Sequence, residues 1–117
     1  METTILASDT GARMESNDEK PRHNLISPLF LTRLAKHLGF GARKYGDRNW
    51  ENGMSFDRTI DSLMRHVNAY REGLRDEDHL AAVACNVMFL IHYEEMIRRG
   101  MLPVKLLDMK RYVPEDE

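Results

Sequence analysis

A length of 117 residues holds one domain with a modest core, of the kind that association between copies often completes. The formal charge of −2, from 17 basic and 19 acidic residues interspersed along the chain, excludes a surface dominated by basic charge, so no duplex nucleic acid is expected as a partner. One cysteine, Cys85, excludes an internal disulfide and fits a reducing compartment.

Residues 1–24 read as a flexible N-terminal arm, polar and poor in large apolar groups. Residues 25–101 read as the helical, nucleotide-binding domain and 102–117 as a C-terminal tail. Ser27-Pro28 is a helix start, because serine accepts from an orphan backbone N–H and proline at the first helical position loses nothing. Leu31, Leu34, Ala35, Leu38, Ala42 and Tyr45 recur at three and four residues, which predicts a first helix over 28–44. Gly39 and Gly41 inside it predict a bend or a close approach by another group. The stretch 45–53 is a loop by its glycines, asparagines and aspartate, and it carries the single tryptophan, Trp50.

Ser55 predicts the cap of a second helix, with Ile60, Leu63, Met64, Val67, Tyr70 and Leu74 on its buried face. Asp61 and Arg65 lie four apart on the polar face, in pairing distance. His66 borders the core. Gly73 ends the helix, and Asp76 or Asp78 caps the next.

The third helix, over residues 79–97, is the centre of the chain. From Leu80 to Ile91 every residue but Asn86 is apolar or small, which predicts a helix buried on several sides. His79, Ala82, Asn86, Phe89 and Tyr93 form one stripe at helical spacing. Cys85 belongs to the apolar run and reads as a buried small hydrophobe. The run is shorter than the ~20 apolar residues a bilayer span needs, and no signal segment opens the chain. These features predict a cytoplasmic protein with no membrane partner. The fold class they predict is all-α, a small helical bundle with a buried central helix, completed by homo-oligomerisation.

No P-loop, HExxH, GxSxG or paired Cys/His zinc spacing is present. The groups that can converge are Lys44, Arg48, Asn49 and Trp50 of the loop, Arg65 and His66 of the second helix, and Asp78, His79 and Asn86 of the third. Cations beside an aromatic suit a phosphorylated planar ligand. Carboxylates suit a magnesium ion, which prefers oxygen.

Three blocks carry a resemblance: Gly41-Ala42-Arg43-Lys44-Tyr45-Gly46-Asp47-Arg48-Asn49-Trp50, then Arg65-His66, then Asp78-His79-Leu80-Ala81-Ala82-Val83-Ala84-Cys85-Asn86. With Lys20-Pro21 and Leu25-Ile26 ahead of them, they resemble a phage and prophage family, the dATP/dGTP diphosphohydrolase N-terminal domain, discussed alongside MazG-like all-α nucleoside triphosphate pyrophosphatases. The resemblance spans about residues 20–112. It implies hydrolysis of purine deoxynucleoside triphosphates to monophosphate and pyrophosphate, assisted by a divalent metal, Mg or Mn, and a location in the host cytoplasm if the gene is a phage's. It implies Lys44, Tyr45, Arg48, Asn49, Trp50 and Arg65 as nucleotide-binding residues, Asp78 and Asp61 as metal ligands, and His79, Asn86 and His66 as catalytic residues. MazG-like enzymes hold their ions with EExxE and ExxD motifs, and this chain carries neither. Two alternatives therefore stand beside hydrolysis: a nucleotide-binding protein that sequesters or senses its ligand, and a helical interaction module in which Asn86 sets the register between subunits.

Overall fold

A computed structural model of the chain describes residues 5–7 and 10–114. Three helices carry the architecture: α1 (Pro28–Tyr45), α2 (Phe56–Arg71) and α3 (His79–Arg98). Ahead of them two short strands, β1 (Ile5–Ala7) and β2 (Arg13–Glu15), pair antiparallel with Leu6 opposite Met14. Part of the N-terminal arm is thus a small hairpin, with β2 wholly exposed. Its residues 1–4, 8 and 9, like the last three of the tail, lie outside the described residues.

Each helix starts where the sequence places a cap. Ser27 Oγ accepts from Phe30 N–H, Ser55 Oγ from Arg58 N–H, and an Asp78 carboxylate oxygen from Ala81 N–H. Each satisfies one of the four donors a helix start leaves unpaired. The helix α1 runs unbroken through Gly39 and Gly41, one residue beyond its expected end.

Among the described residues, six of the eight buried ones lie on α3, which makes it the core helix: His79, Ala81, Ala82, Cys85, Asn86 and Tyr93. Four of the five residues of the predicted stripe are buried, Ala82 and Tyr93 the most enclosed, while Phe89 is only half-buried, and Ala81 and Cys85 are buried beside the stripe. The face of α2 turned toward it differs from the expectation. Met64, Tyr70 and Leu74 are exposed, while Phe56 and Thr59 are buried. Ser62 and His66 reach the polar members of the stripe, Asn86 and His79. Small and polar groups on α2 thus face small and polar groups on α3, where apolar periodicity alone points elsewhere.

The other side of α3 is not covered within the chain. Leu80, Val87 and Ile91 are exposed, and α1 has no buried residue. The run 80–91 is embedded in a 20-residue helix that is long and apolar enough, by length and composition, to cross a membrane. In this fold the same helix packs against α2 and α1. The accessible surface is 9872 Å², against about 6,600 Å² for a compact monomer of this size. The radius of gyration is 19.1 Å, against about 13 Å. The exposed strand β2 and the bare apolar side of α1 and α3 both add to that surface.

The near end of the tail is tied down. Asp108 accepts from Asp57 N–H at 2.9 Å and from Ser55 Oγ, which places a carboxylate at the positive end of the α2 dipole. Leu102 and Leu106 close over Gly53.

Candidate functional site

The loop after α1 is built to hold Trp50. Arg48 adopts the left-handed conformation (φ 59°), the only non-glycine among the described residues to do so, and it opens a short 3-10 turn over Asn49–Asn52. Arg48 pairs with Glu51 at 3.1 Å. The turn presses the Trp50 indole onto α3. The ring stacks on Phe89 with centroids 5.0 Å apart and meets the edge of His92 at 4.8 Å. The Tyr93 hydroxyl, fully buried, donates to the Trp50 carbonyl. Burial pushes the Tyr93 phenol far above its usual range, so it stays a donor.

Between this loop, α1 and α3 lies a cavity of about 740 Å³. That is within the range of small-molecule sites. Tyr45, Arg48, Asn49 and Trp50 line it from the loop side, His37 and Ala42 from α1, and Cys85 and Phe89 from α3. The walls are chiefly aromatic and apolar, with the Arg48 cation at the mouth. Burial pushes the Cys85 thiol up to about 11, which leaves it an uncharged part of the wall. Four of the residues expected from the sequence, Tyr45, Arg48, Asn49 and Trp50, come together here. Lys44 is exposed in the last turn of α1 and does not line the cavity.

A second group of side chains forms where α2 passes the start of α3. The Nδ1 atoms of His66 and His79 face each other at 2.9 Å. Glu77 Oε1 is 3.9 Å from His66 Nδ1. Ligand atoms of His66, Glu77 and His79 all lie within 4.8 Å of one another, so the three could hold a metal ion. The far nitrogen of His79, Nε2, is 2.8 Å from Asp76 Oδ1. Hydrogen bonding to His79 holds the Asp76 carboxyl below its ordinary range. Burial pulls the His66 imidazole down, with the charges of His79, His37 and Arg65 adding to the effect and Glu77 opposing it. His37 of α1 thus lies in electrostatic reach of His66 and lines the cavity as well. Along α3 the two sites are separated by the rise from His79 to Cys85, about 9 Å.

The remaining expected residues are engaged in other contacts. Asp78 takes a two-point contact from Arg33, at 2.8 and 2.6 Å, and caps α3 with the same carboxylate. The Arg33 contact holds the Asp78 carboxyl down at about 2. Asp61 pairs with Arg65 at 3.4 Å, and both are exposed on α2. Asn86 donates to Ser62 Oγ at 3.3 Å inside the α2–α3 contact. No buried side-chain polar atom among the described residues lacks a partner.

Sequence reasoning missed Glu77, Asp76, Arg33 and His37. Asp76 was read only as a candidate cap for α3, and Glu77, Arg33 and His37 were not singled out. A carboxylate two residues before a buried histidine, with a second histidine one helix earlier, is the signal that points to the cluster.

The family model described as dATP/dGTP diphosphohydrolase, N-terminal, matches residues 10–101. No curated protein and no solved structure matches the chain.

Proposed function

Because this chain belongs to the dATP/dGTP diphosphohydrolase N-terminal family, we propose that it binds a purine deoxynucleoside triphosphate in the 740 Å³ cavity and hydrolyses it to monophosphate and pyrophosphate. The observation that carries this reading is the convergence of Tyr45, Arg48, Asn49 and Trp50 on that cavity. Trp50, clamped against Phe89, offers a fixed aromatic surface for a base, at no further cost in side-chain entropy. Arg48, which lines the cavity, supplies a cation for phosphate oxygens, and Lys44, exposed at the end of α1 and outside the cavity lining, is a second cation for a phosphate chain that extends beyond it. Asn49 has the donors and acceptor to read a purine edge.

A divalent ion supplies charge neutralisation at the phosphates and an activated water. The side chains fit to hold it are His66, Glu77 and His79. His79 is oriented by Asp76, and Asn86 secures the α2–α3 contact that brings His66 to His79. Asp78 joins α1 to α3 through Arg33, which fixes one edge of the same region. Asp61 and Arg65 form an exposed ion pair on α2, with Arg65 one residue from His66 and available to a phosphate chain reaching that end.

Binding without hydrolysis is the second reading. It is favoured by α3, which carries no carboxylate between Asp78 and Glu94. A product assay on dATP and dGTP with manganese, run beside a binding titration on the same sample, separates the two. Monophosphate and pyrophosphate, lost in Trp50→Ala and Arg48→Ala, support hydrolysis in this cavity. Tight binding with the nucleotide recovered intact supports the second reading. Neither binding nor turnover overturns both.

The bare apolar side of α1 and α3 is completed, in this reading, by a second copy of the chain. Leu80, Val87 and Ile91 of α3 and Leu29, Phe30 and Phe40 of α1 are the exposed apolar groups such a copy would bury.

A further inference from the structure

We propose that His66, Glu77 and His79 form a site for a borderline transition-metal ion, of the manganese-to-zinc series, in preference to magnesium. Three features carry the inference. The first is proximity. The two Nδ1 atoms are 2.9 Å apart, and the Glu77 oxygen completes a triangle within 4.8 Å. Donors this close, each ~2.1 Å from a shared ion, occupy neighbouring positions around it.

The second is the tautomer of His79. Its Nε2 lies 2.8 Å from Asp76 Oδ1, and a carboxylate oxygen accepts, so Nε2 carries the proton and donates. The lone pair is then on Nδ1, aimed at His66. A carboxylate behind a histidine on the side away from the ligand is the arrangement that orients metal-binding imidazoles and raises their basicity. Asp76 is a positioning residue in this arrangement and not a ligand.

The third is the burial gradient. His79 is 6% exposed, while the side chains of His66 and Glu77 are 23% and 50% exposed. One ligand is anchored in the core and two stand at the surface, where an ion can enter. Three protein ligands leave coordination positions open for water or a phosphate oxygen. Two imidazoles and one carboxylate suit ions that accept nitrogen. Magnesium prefers oxygen throughout.

The site deepens the metal requirement proposed above, yet it is tested without nucleotide, so the two readings fail separately. Tag-free, metal-stripped protein is titrated with Co(II), Zn(II) and Mg(II), following heat and, for cobalt, visible absorption. The expected result is one cobalt per chain, bound at least ~100-fold more tightly than magnesium. His66→Ala and Glu77→Gln each weaken cobalt binding at least tenfold with helix content retained. His79 is left intact, since a buried histidine is needed for packing. Asp76→Asn weakens binding by about 10–100-fold and shifts the cobalt band, and Asp76→Glu restores both. Absence of cobalt uptake, magnesium bound as tightly as cobalt, or uptake unchanged in both His66→Ala and Glu77→Gln overturns the assignment.

Discussion

The Tyr93 hydroxyl reaches across from α3 and donates to the backbone carbonyl of Trp50, tying the loop after α1 to the core helix. Tyr93 is 0% exposed. Tyr93→Phe removes that bond at nearly constant side-chain volume and leaves the Trp50 carbonyl with the Gly53 N–H as its donor. The cost expected is about 1–2 kcal/mol. Trp50 is the only tryptophan, so its fluorescence reports the loop directly. Urea unfolding followed at Trp50 should show a lower midpoint and a red-shifted native emission. An unchanged midpoint and emission would mean that the Phe89 stack alone holds the loop.

The Arg33–Asp78 contact gives the fold an acid-sensitive joint between α1 and α3. The Asp78 carboxyl is held at about 2, below its ordinary 3.8, first by the Arg33 hydrogen bonds. A depressed carboxylate contributes stability that is full above its unfolded value and is lost as pH falls through the folded one. The loss attributable to Asp78 therefore falls between about pH 4 and pH 2. Asp78→Asn keeps an N-cap for α3 but removes the charge, so it should flatten this part of the stability curve. Urea midpoints of both proteins, taken at intervals from pH 6 to pH 2, test it. Parallel curves would assign the acid loss to other carboxylates.

Much of the helical frame was legible because caps and breakers are local. Ser27, Ser55 and Asp78 each cap the helix that follows, and Gly73 follows the end of α2. The stripe His79, Ala82, Asn86, Phe89 and Tyr93, in which all but the half-buried Phe89 are buried, was legible as well, since periodicity on one helix needs no knowledge of its neighbour. What lies across from the stripe was not. The partners Ser62 and His66 are polar, so a reading that seeks apolar repeats sets them aside, and it placed the buried face of α2 on Met64 and Tyr70, which are exposed. The site split along the same line. Tyr45, Arg48, Asn49 and Trp50 stand close in sequence and came together in one cavity. Arg33 with Asp78, 45 residues apart, is a pairing that only the fold makes.

Gly53 closes the loop before α2 at φ 98°, a backbone conformation that side chains rarely adopt. A Cβ there would lie 2.8 Å from Leu106 Cδ1, so the Leu106 side chain would have to shift to admit it. Gly53→Ala should destabilise by about 1–3 kcal/mol. The two causes separate in a double variant. Leu106→Ala removes the clash and leaves the backbone strain. If Gly53→Ala costs nearly as much in that background as in the native one, strain dominates. If its cost is much smaller there, the clash dominates. Thermal unfolding of the four proteins supplies the cycle, and a neutral Gly53→Ala would contradict both.

Ile91 sits on the uncovered side of α3, 58% exposed, with Val87 one turn earlier at 41%. A helix of this apolarity, bare along one side, is expected to be covered by a second copy of the chain, since burial of apolar surface stabilises by about 25 cal/mol per Å². The mass in solution, by light scattering on a sizing column, should then be a multiple of the chain's. Ile91→Glu places a charge at the centre of that face without touching the buried stripe. It should shift the population toward monomer while helix content is retained. A native monomer at micromolar concentration would contradict the covering copy and leave the face for a different partner. An oligomer indifferent to Ile91→Glu would move the interface to α1, where Leu29, Phe30 and Phe40 are also exposed, and the matching charge at Phe40 then tests that surface.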